Sequence, residues 1–206
     1  MKNFLSDKGF SVLELITIVG VLSILVMFIF PNMTNLINQA EQVRNDINNK
    51  MNFAPNGIYA GFSQSVFHLN NKEIKVAGLN IDGQLAAGTN DNVLIPQAIS
   101  ISDVKQVAVG GSHILVLLKN GNVYVSGDNS IGQLGLDSSI TATNKLTNIG
   151  LNDIYQVAAG NDFSMFLRRD GMVLGSGQNN RGQLGVVGDT TTKYTPVPAS
   201  ISGVKY

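Results

Sequence analysis

The segment Gly110–Gly135, reading GGSHILVLLKNGNVYVSGDNSIGQLG, occurs in this chain in three recognisable copies. Gly160–Gly185 reads GNDFSMFLRRDGMVLGSGQNNRGQLG and Gly61–Ala86 reads GFSQSVFHLNNKEIKVAGLNIDGQLA. Gly78, Gly127 and Gly177 are 49 and 50 residues apart, and so are Gly83, Gly132 and Gly182. Between copies, SDVKQVA at Ser102–Ala108 recurs as NDIYQVA at Asn152–Ala158 and starts again as SGVKY at Ser202–Tyr206. No other feature limits the fold as much. A repeat of this length is one supersecondary unit that cannot bury its apolar face alone, so successive copies must stack.

Within a copy, Leu115 and Leu117 alternate with Val116 and Leu118, so both faces of that strand are apolar and it is expected to be buried. Asn120-Gly121 and Asp170-Gly171 are hairpin turns by composition, because such turns need positive φ, and Val123–Val125 is the partner strand. The GQLG tail needs glycine where a side chain would clash. Hairpins at a period near fifty point to propeller blades. These residues resemble the regulator of chromosome condensation repeat family, a propeller family whose repeats have this length and carry GQLG. The resemblance covers Tyr59 to the end. It implies a structural role for Gly78, Gly83, Gly127, Gly132, Gln133, Gly177, Gly182 and Gln183. There are departures. A tryptophan frequent in the family is replaced by Ala77, Ser126 and Ser176, its frequent histidine is matched only by His113 against Gln64 and Phe163, and Lys72 replaces the hairpin glycine of the first copy. Family rings close with about seven blades, and propellers in general with four to eight. Three copies and the start of a fourth therefore read as an incomplete propeller over residues 53–206, from a C-terminally truncated chain. An open three-blade arc and closure by another chain are the alternatives.

The N-terminal region has a different pattern. Phe10–Phe30 is apolar apart from Glu14 and small or hydroxylated residues. As a helix rising 1.5 Å per residue it would span roughly 32 Å, close to a hydrocarbon core. A carboxylate in such a segment costs about 2.5–3.5 kcal/mol at a helix centre and marks a functional position. Lys2 and Lys8 precede the run and no basic residue follows before Arg44, which favours a cytoplasmic N-terminus. Pro31 breaks or kinks the helix. Beyond it Met33, Leu36, Ile37, Ala40, Val43, Ile47 and Met51 recur at helical spacing. Gly9, Phe10, Glu14, the apolar run and Pro31 together resemble the type IV pilin and pseudopilin families. That resemblance implies a leader at 1–9, cleavage by prepilin peptidase after Gly9 and methylation of Phe10. It also implies a helical stem at 10–52, with Glu14 and Pro31 serving filament assembly. The alternative is a signal-anchor helix that only tethers.

The fold class expected is thus a long N-terminal α-helix, a membrane and filament stem, followed by an all-β incomplete propeller. The function expected is a pilin-like subunit of a type IV pilus or secretion filament displaying a binding head. The alternatives are a membrane-anchored extracytoplasmic binding module that does not polymerise and, ranked last, an enzyme or nucleotide-exchange factor. Implied partners are prepilin peptidase, other pilin-like subunits, the bacterial inner membrane before assembly, and a protein or glycan ligand of the head. The implied location is the inner membrane with an extracytoplasmic head, then an extracellular pilus or periplasmic pseudopilus. A formal charge of zero without a basic run gives no nucleic-acid footprint, and the absence of Cys excludes disulfides and thiol chemistry. No hydrolase, zinc-protease, phosphate-loop or dinucleotide motif occurs, and no cofactor or metal is expected. His113 is read as a structural hydrogen-bonding group near a blade turn, and His68, aligned with Leu117 and Leu167, as a satisfied core or edge histidine. Asn90–Asn92 and Asp128-Asn129 lack the ligand alternation of a calcium loop and read as turns.

Overall fold

The computed structural model describes Thr17, Asn35 and residues 38–43, 57–69 and 72–205. The chain divides into two units, Met1–Asn52 and Phe53–Tyr206. In the first, the described residues are helical and exposed, and Val43 is 56% exposed. The long helix expected over 10–52 is corrected: the longest described helical stretch is residues 38–43, and every described element that buries an apolar core is a strand. Gly9, Phe10, Glu14, Pro31 and the apolar run, Thr17 excepted, lie outside the described residues.

In the second unit the described strands form three sheets of four antiparallel strands each, in sequential order. The first is β1 (Gly57–Ala60), β2 (Gln64–His68), β3 (Ile74–Gly78) and β4 (Val93–Ile99). The second is β5 (Val104–Val109), β6 (His113–Leu118), β7 (Val123–Asp128) and β8 (Ala142–Asn148). The third is β9 (Ile154–Ala159), β10 (Phe163–Arg168), β11 (Val173–Gly177) and β12 (Lys193–Pro198). Contacts between sheets run through the first strands, β1 on β5 and β5 on β9, with β2 and β6 behind them.

The two-residue alternation of β6 explains the stacking. Ile114 and Val116 join Val66, Ile74 and Val76 of the first sheet, and Leu85 of the loop after β3, in one core cluster. Leu115 and Leu117, on the opposite face, join Ile154, Val157, Phe166 and Leu174 of the third sheet in another. Each fully buried Val, Leu, Ile or Phe contributes about 1.5–3 kcal/mol of transfer free energy. The middle sheet, covered on both faces, is therefore apolar on both.

The recurring glycines fall where the third strand bulges. Register shifts lie between Val76 and Gly78, Val125 and Gly127, and Gly175 and Gly177. Gly127 has φ 117°, and a Cβ there would stand 2.2 Å from the Ser112 carbonyl oxygen. Glycine is required by both backbone conformation and close approach. The hairpin turns use the same conformation: Gly121 has φ 88° and Gly171 φ 83°. In the first copy Lys72 adopts φ 69° without glycine's freedom.

Candidate functional site

Three equivalent turns, residues 61–63, 110–112 and 160–162, link the first and second strands of the sheets. Each is closed by a glycine N–H donating to the carbonyl three residues on: Gly61 to Gln64 (2.9 Å), Gly110 to His113 (2.8 Å) and Gly160 to Phe163 (2.9 Å). No Cβ fits at Gly61, where it would lie 2.4 Å from the Gly110 oxygen. The turns are tied to one another. Gln64 Nε2 donates to the Gly110 and Gly111 carbonyls at 3.0 and 2.9 Å, and the Gly111 N–H donates to the Asn161 carbonyl at 2.9 Å. Gly61, Phe62, Gly110, Gly111, Gly160 and Asn161 of these turns, with Val109 and Ala159, line an open hollow of about 280 Å³, and Phe62 is 85% exposed on its wall. Among the described residues no titratable side chain lines it. The arrangement offers peptide groups and an aromatic ring to a partner.

His113 is fully buried behind these turns. The Ser164 hydroxyl donates to the Gln133 carbonyl at 2.6 Å, so its oxygen accepts from His113 Nε2 at 2.9 Å. This fixes the Nε2–H tautomer and leaves Nδ1 as an acceptor with no donor among the described residues. Burial lowers the His113 pKa to about 4 against an opposing effect of Asp128. The ring is a neutral bolt between the second and third sheets. His68 is 6% exposed, but its Nδ1 has no hydrogen-bond partner among the described residues, which corrects the expectation of a satisfied histidine. Its pKa is lowered by burial and by Lys119.

The remaining signature residues lie in the outer loops, away from the hollow. A Cβ on Gly83 would lie 2.5 Å from Asn144 Cα in β8, and one on Gly132 would lie 2.6 Å from Tyr194 Cα in β12. Gly182 has φ 72° and no neighbour within 4 Å of such a Cβ. Gln133 Oε1 accepts from the Ile131 N–H (3.1 Å) while its Nε2 donates to Asp128 (2.7 Å). Gln183 does the same with Arg181 (2.9 Å) and Gln178 (3.3 Å). In the first copy Leu79 occupies the acceptor position, and Gln84 Nε2 is buried with no partner among the described residues.

Sequence reasoning missed one residue in each copy. Asn80, Asn129 and Asn179 are 0%, 1% and 0% exposed. Their Oδ1 atoms accept from Leu85, Leu134 and Leu184 N–H at 2.8, 3.0 and 3.0 Å. Their Nδ2 atoms donate to the Thr89, Ile140 and Asp189 carbonyls at 2.8, 2.6 and 2.7 Å. They share the spacing of the glycines, which was the signal available. The same applies to Gln106, whose amide pairs with both backbone groups of Val157, donating at 2.8 Å and accepting at 3.0 Å. The missing tryptophan is replaced by a bond in the middle sheet, where Ser126 Oγ donates to the Gly83 carbonyl at 2.7 Å.

At the opposite strand ends, Lys105 Nζ lies 3.8 Å from the Tyr155 ring centroid and donates to the Tyr155 carbonyl at 2.6 Å. Burial and Arg169 lower its pKa. Asn92 and Asn90 are used in hydrogen bonds to Asn80 and Asn144. Among the described residues no cluster of three or more His, Asp or Glu is placed to hold a metal ion.

Family models described as regulator of chromosome condensation (RCC1) repeat match residues 76–117 and 120–167, and 104–133 and 154–183. This chain carries RCC1 repeats. The X-linked retinitis pigmentosa GTPase regulator homolog of Caenorhabditis elegans is 34% identical over 98 residues, covering 46% of this chain and 7% of that protein. The human X-linked retinitis pigmentosa GTPase regulator is 35% identical over 88 residues, covering 41% and 9%. The secretion-regulating guanine nucleotide exchange factor of Bos taurus is 37% identical over 82 residues, covering 38% and 18%. The matches thus span less than a fifth of these relatives' length.

Two solved structures share the fold. Prp20p from Saccharomyces cerevisiae, described with its binding properties to Gsp1p and histones, superposes with TM-score 0.65 at 18% identity, over 70% of this chain and 38% of that one. Human WBSCR16 does so with TM-score 0.61 at 22% identity, over 69% and 37%.

These findings correct the filament reading. The matched family is the RCC1 repeat and the relatives bear the names of GTPase regulators, so the pilin-like subunit and its membrane-anchored variant are withdrawn. Prepilin peptidase, pilin-like subunits and the inner membrane are withdrawn as partners on the same grounds, as is the inner-membrane and pilus location. No described helix is long and apolar enough to cross a membrane.

Proposed function

We propose that the RCC1 repeats present a protein-binding surface for a small GTPase, centred on the turns 61–63, 110–112 and 160–162, and that binding there promotes nucleotide exchange. The observation that carries this reading is the hollow itself. It joins equivalent turns from three repeats, exposes Phe62, and has no acid, base or nucleophile in its lining. Nucleotide exchange needs no covalent chemistry from the exchange factor. It needs a surface that binds the nucleotide-poor state of its partner better than the loaded state. The 34–37% identity to proteins named as a GTPase regulator and a guanine nucleotide exchange factor supports the same partner class. An exposed aromatic beside a rigid hollow is the side chain expected to anchor such an interface.

The test is release of a fluorescent GDP analogue from a panel of small GTPases in the presence of the full chain. The proposal expects faster release from at least one of them, and Phe62→Ala to raise the half-maximal concentration about tenfold or more. Unchanged release from every GTPase in the panel would refute it.

A further inference from the structure

Two of the first strands carry the same irregularity. In β5, Val104 pairs with Leu118 and Gln106 with Leu117, so Lys105 is the extra residue of a bulge. In β9, Ile154 pairs with Arg168 and Gln156 with Leu167, which leaves Tyr155 in the equivalent place. A bulge turns its extra side chain out of the alternation of the strand. Lys105 and Tyr155 meet at the junction of the second and third sheets, at the strand ends opposite the hollow. Lys105 Nζ stands 3.8 Å from the Tyr155 ring centroid and donates to the Tyr155 carbonyl at 2.6 Å. Arg169, in the β10–β11 hairpin, brings its Cζ to 5.9 Å from the same centroid, while its backbone N–H donates to the Asp153 carbonyl at 2.9 Å.

Two cations thus share one ring without a counter-ion. The ion pairs among the described residues are Arg168 with Asp170 and Lys193 with Asp189. The other carboxylates of these loops, Asp103 and Asp153, pair with neither Lys105 nor Arg169. Burial and the Arg169 charge lower the Lys105 pKa, the second as like charges brought together must. Donors remain on both side chains. An ammonium has three, and the Tyr155 carbonyl takes one. The Arg169 guanidinium, with five, makes no hydrogen bond among the described residues. The following copy brings a further cation, Lys205, to a hollow that Arg169 also lines.

We propose that Lys105 and Arg169 form a site for a phosphate dianion, free or carried on a monoester, between the second and third sheets beside Tyr155. Two uncompensated positive charges match a phosphomonoester, which carries about −1.5 to −2 at neutral pH, better than the single charge of a carboxylate or a phosphodiester. The spare lysine donors and the guanidinium fork supply charge-assisted hydrogen bonds to its oxygens. Bound there, the anion offsets the repulsion between the two cations and ties the second sheet to the third.

Trace acetylation of the full chain, read lysine by lysine by mass spectrometry, tests this, because an anion on the site shields Lys105 Nζ. At constant ionic strength, methyl phosphate is expected to protect Lys105 saturably and to leave the exposed Lys119 and Lys145 labelled as before. Dimethyl phosphate and acetate at the same concentrations should not protect it. Arg169→Gln, at an exposed position, should raise the half-protecting concentration of methyl phosphate about tenfold or more. Inorganic phosphate is the second arm: tighter methyl phosphate assigns the site to an ester, and tighter inorganic phosphate assigns it to the free anion. No protection by either, equal protection by dimethyl phosphate or acetate, protection spread over Lys119 and Lys145, or a half-protecting concentration unmoved in Arg169→Gln would overturn the proposal.

Discussion

His113 and Asn129 show how single polar side chains hold neighbouring elements at fixed spacing. His113 is buried as a neutral ring with a pKa of about 4, below the ordinary 6.5. Between those values the unfolded chain binds the proton and the folded chain does not, so stability falls as pH drops from 6.5 toward 4. The loss is about 3 kcal/mol across that window. His113→Gln, which places there the residue the first copy uses at Gln64, should flatten this part of the profile in urea unfolding from pH 7 to 4. An unchanged slope would show that His113 is not the titrating group. Asn129 satisfies the Leu134 N–H and the Ile140 carbonyl inside a loop. Asn129→Ala leaves both without a partner and should cost about 2–3 kcal/mol in chemical denaturation. Ser138→Ala, at an exposed position of the same loop, should stay within about 0.5 kcal/mol. The asparagine was visible in the sequence as a residue at constant spacing. Its role was not, because spacing cannot distinguish a buried loop clamp from a solvated turn.

At the scale of the element, the strands and hairpins follow from local patterns. The double-sided apolar run of β6 announced a sheet covered on both faces, and the Asn-Gly and Asp-Gly pairs announced the turns at Gly121 and Gly171. Bulges were not announced, since a glycine in a strand can mark a bulge, a bend or a close approach alike. Gly132 and Gly182 both open a GQLG tail but differ in packing. Gly132→Ala must strain a φ of 79° and push a Cβ against β12, whereas Gly182→Ala meets only the backbone cost. That cost is roughly 1–2 kcal/mol. Thermal unfolding should show Gly132→Ala losing at least twice as much stability as Gly182→Ala. Equal losses would mean that the turn at Gly132 does not press on β12.

For the whole molecule, the period near fifty was enough to point to stacked propeller blades, because each copy repeats the same strand and turn signals. Function was less legible. Gly9, Phe10 and Glu14 form a local pattern whose implied assembly role is not supported by the matched family, while the hollow is built from backbone groups and glycines that leave little chemical trace in a sequence. A surface of this kind emerges only when Gly61, Gly110 and Gly160, about fifty residues apart along the chain, are brought together by stacking. The most direct measurement is hydrogen–deuterium exchange of the full chain with and without a GTPase whose nucleotide release it accelerates. The account predicts slowed exchange at residues 61–63, 110–112 and 160–162 together, with the hairpins at 119–122 and 169–172 unaffected. Protection confined to those hairpins, with the three turns exchanging as in the free protein, would contradict it.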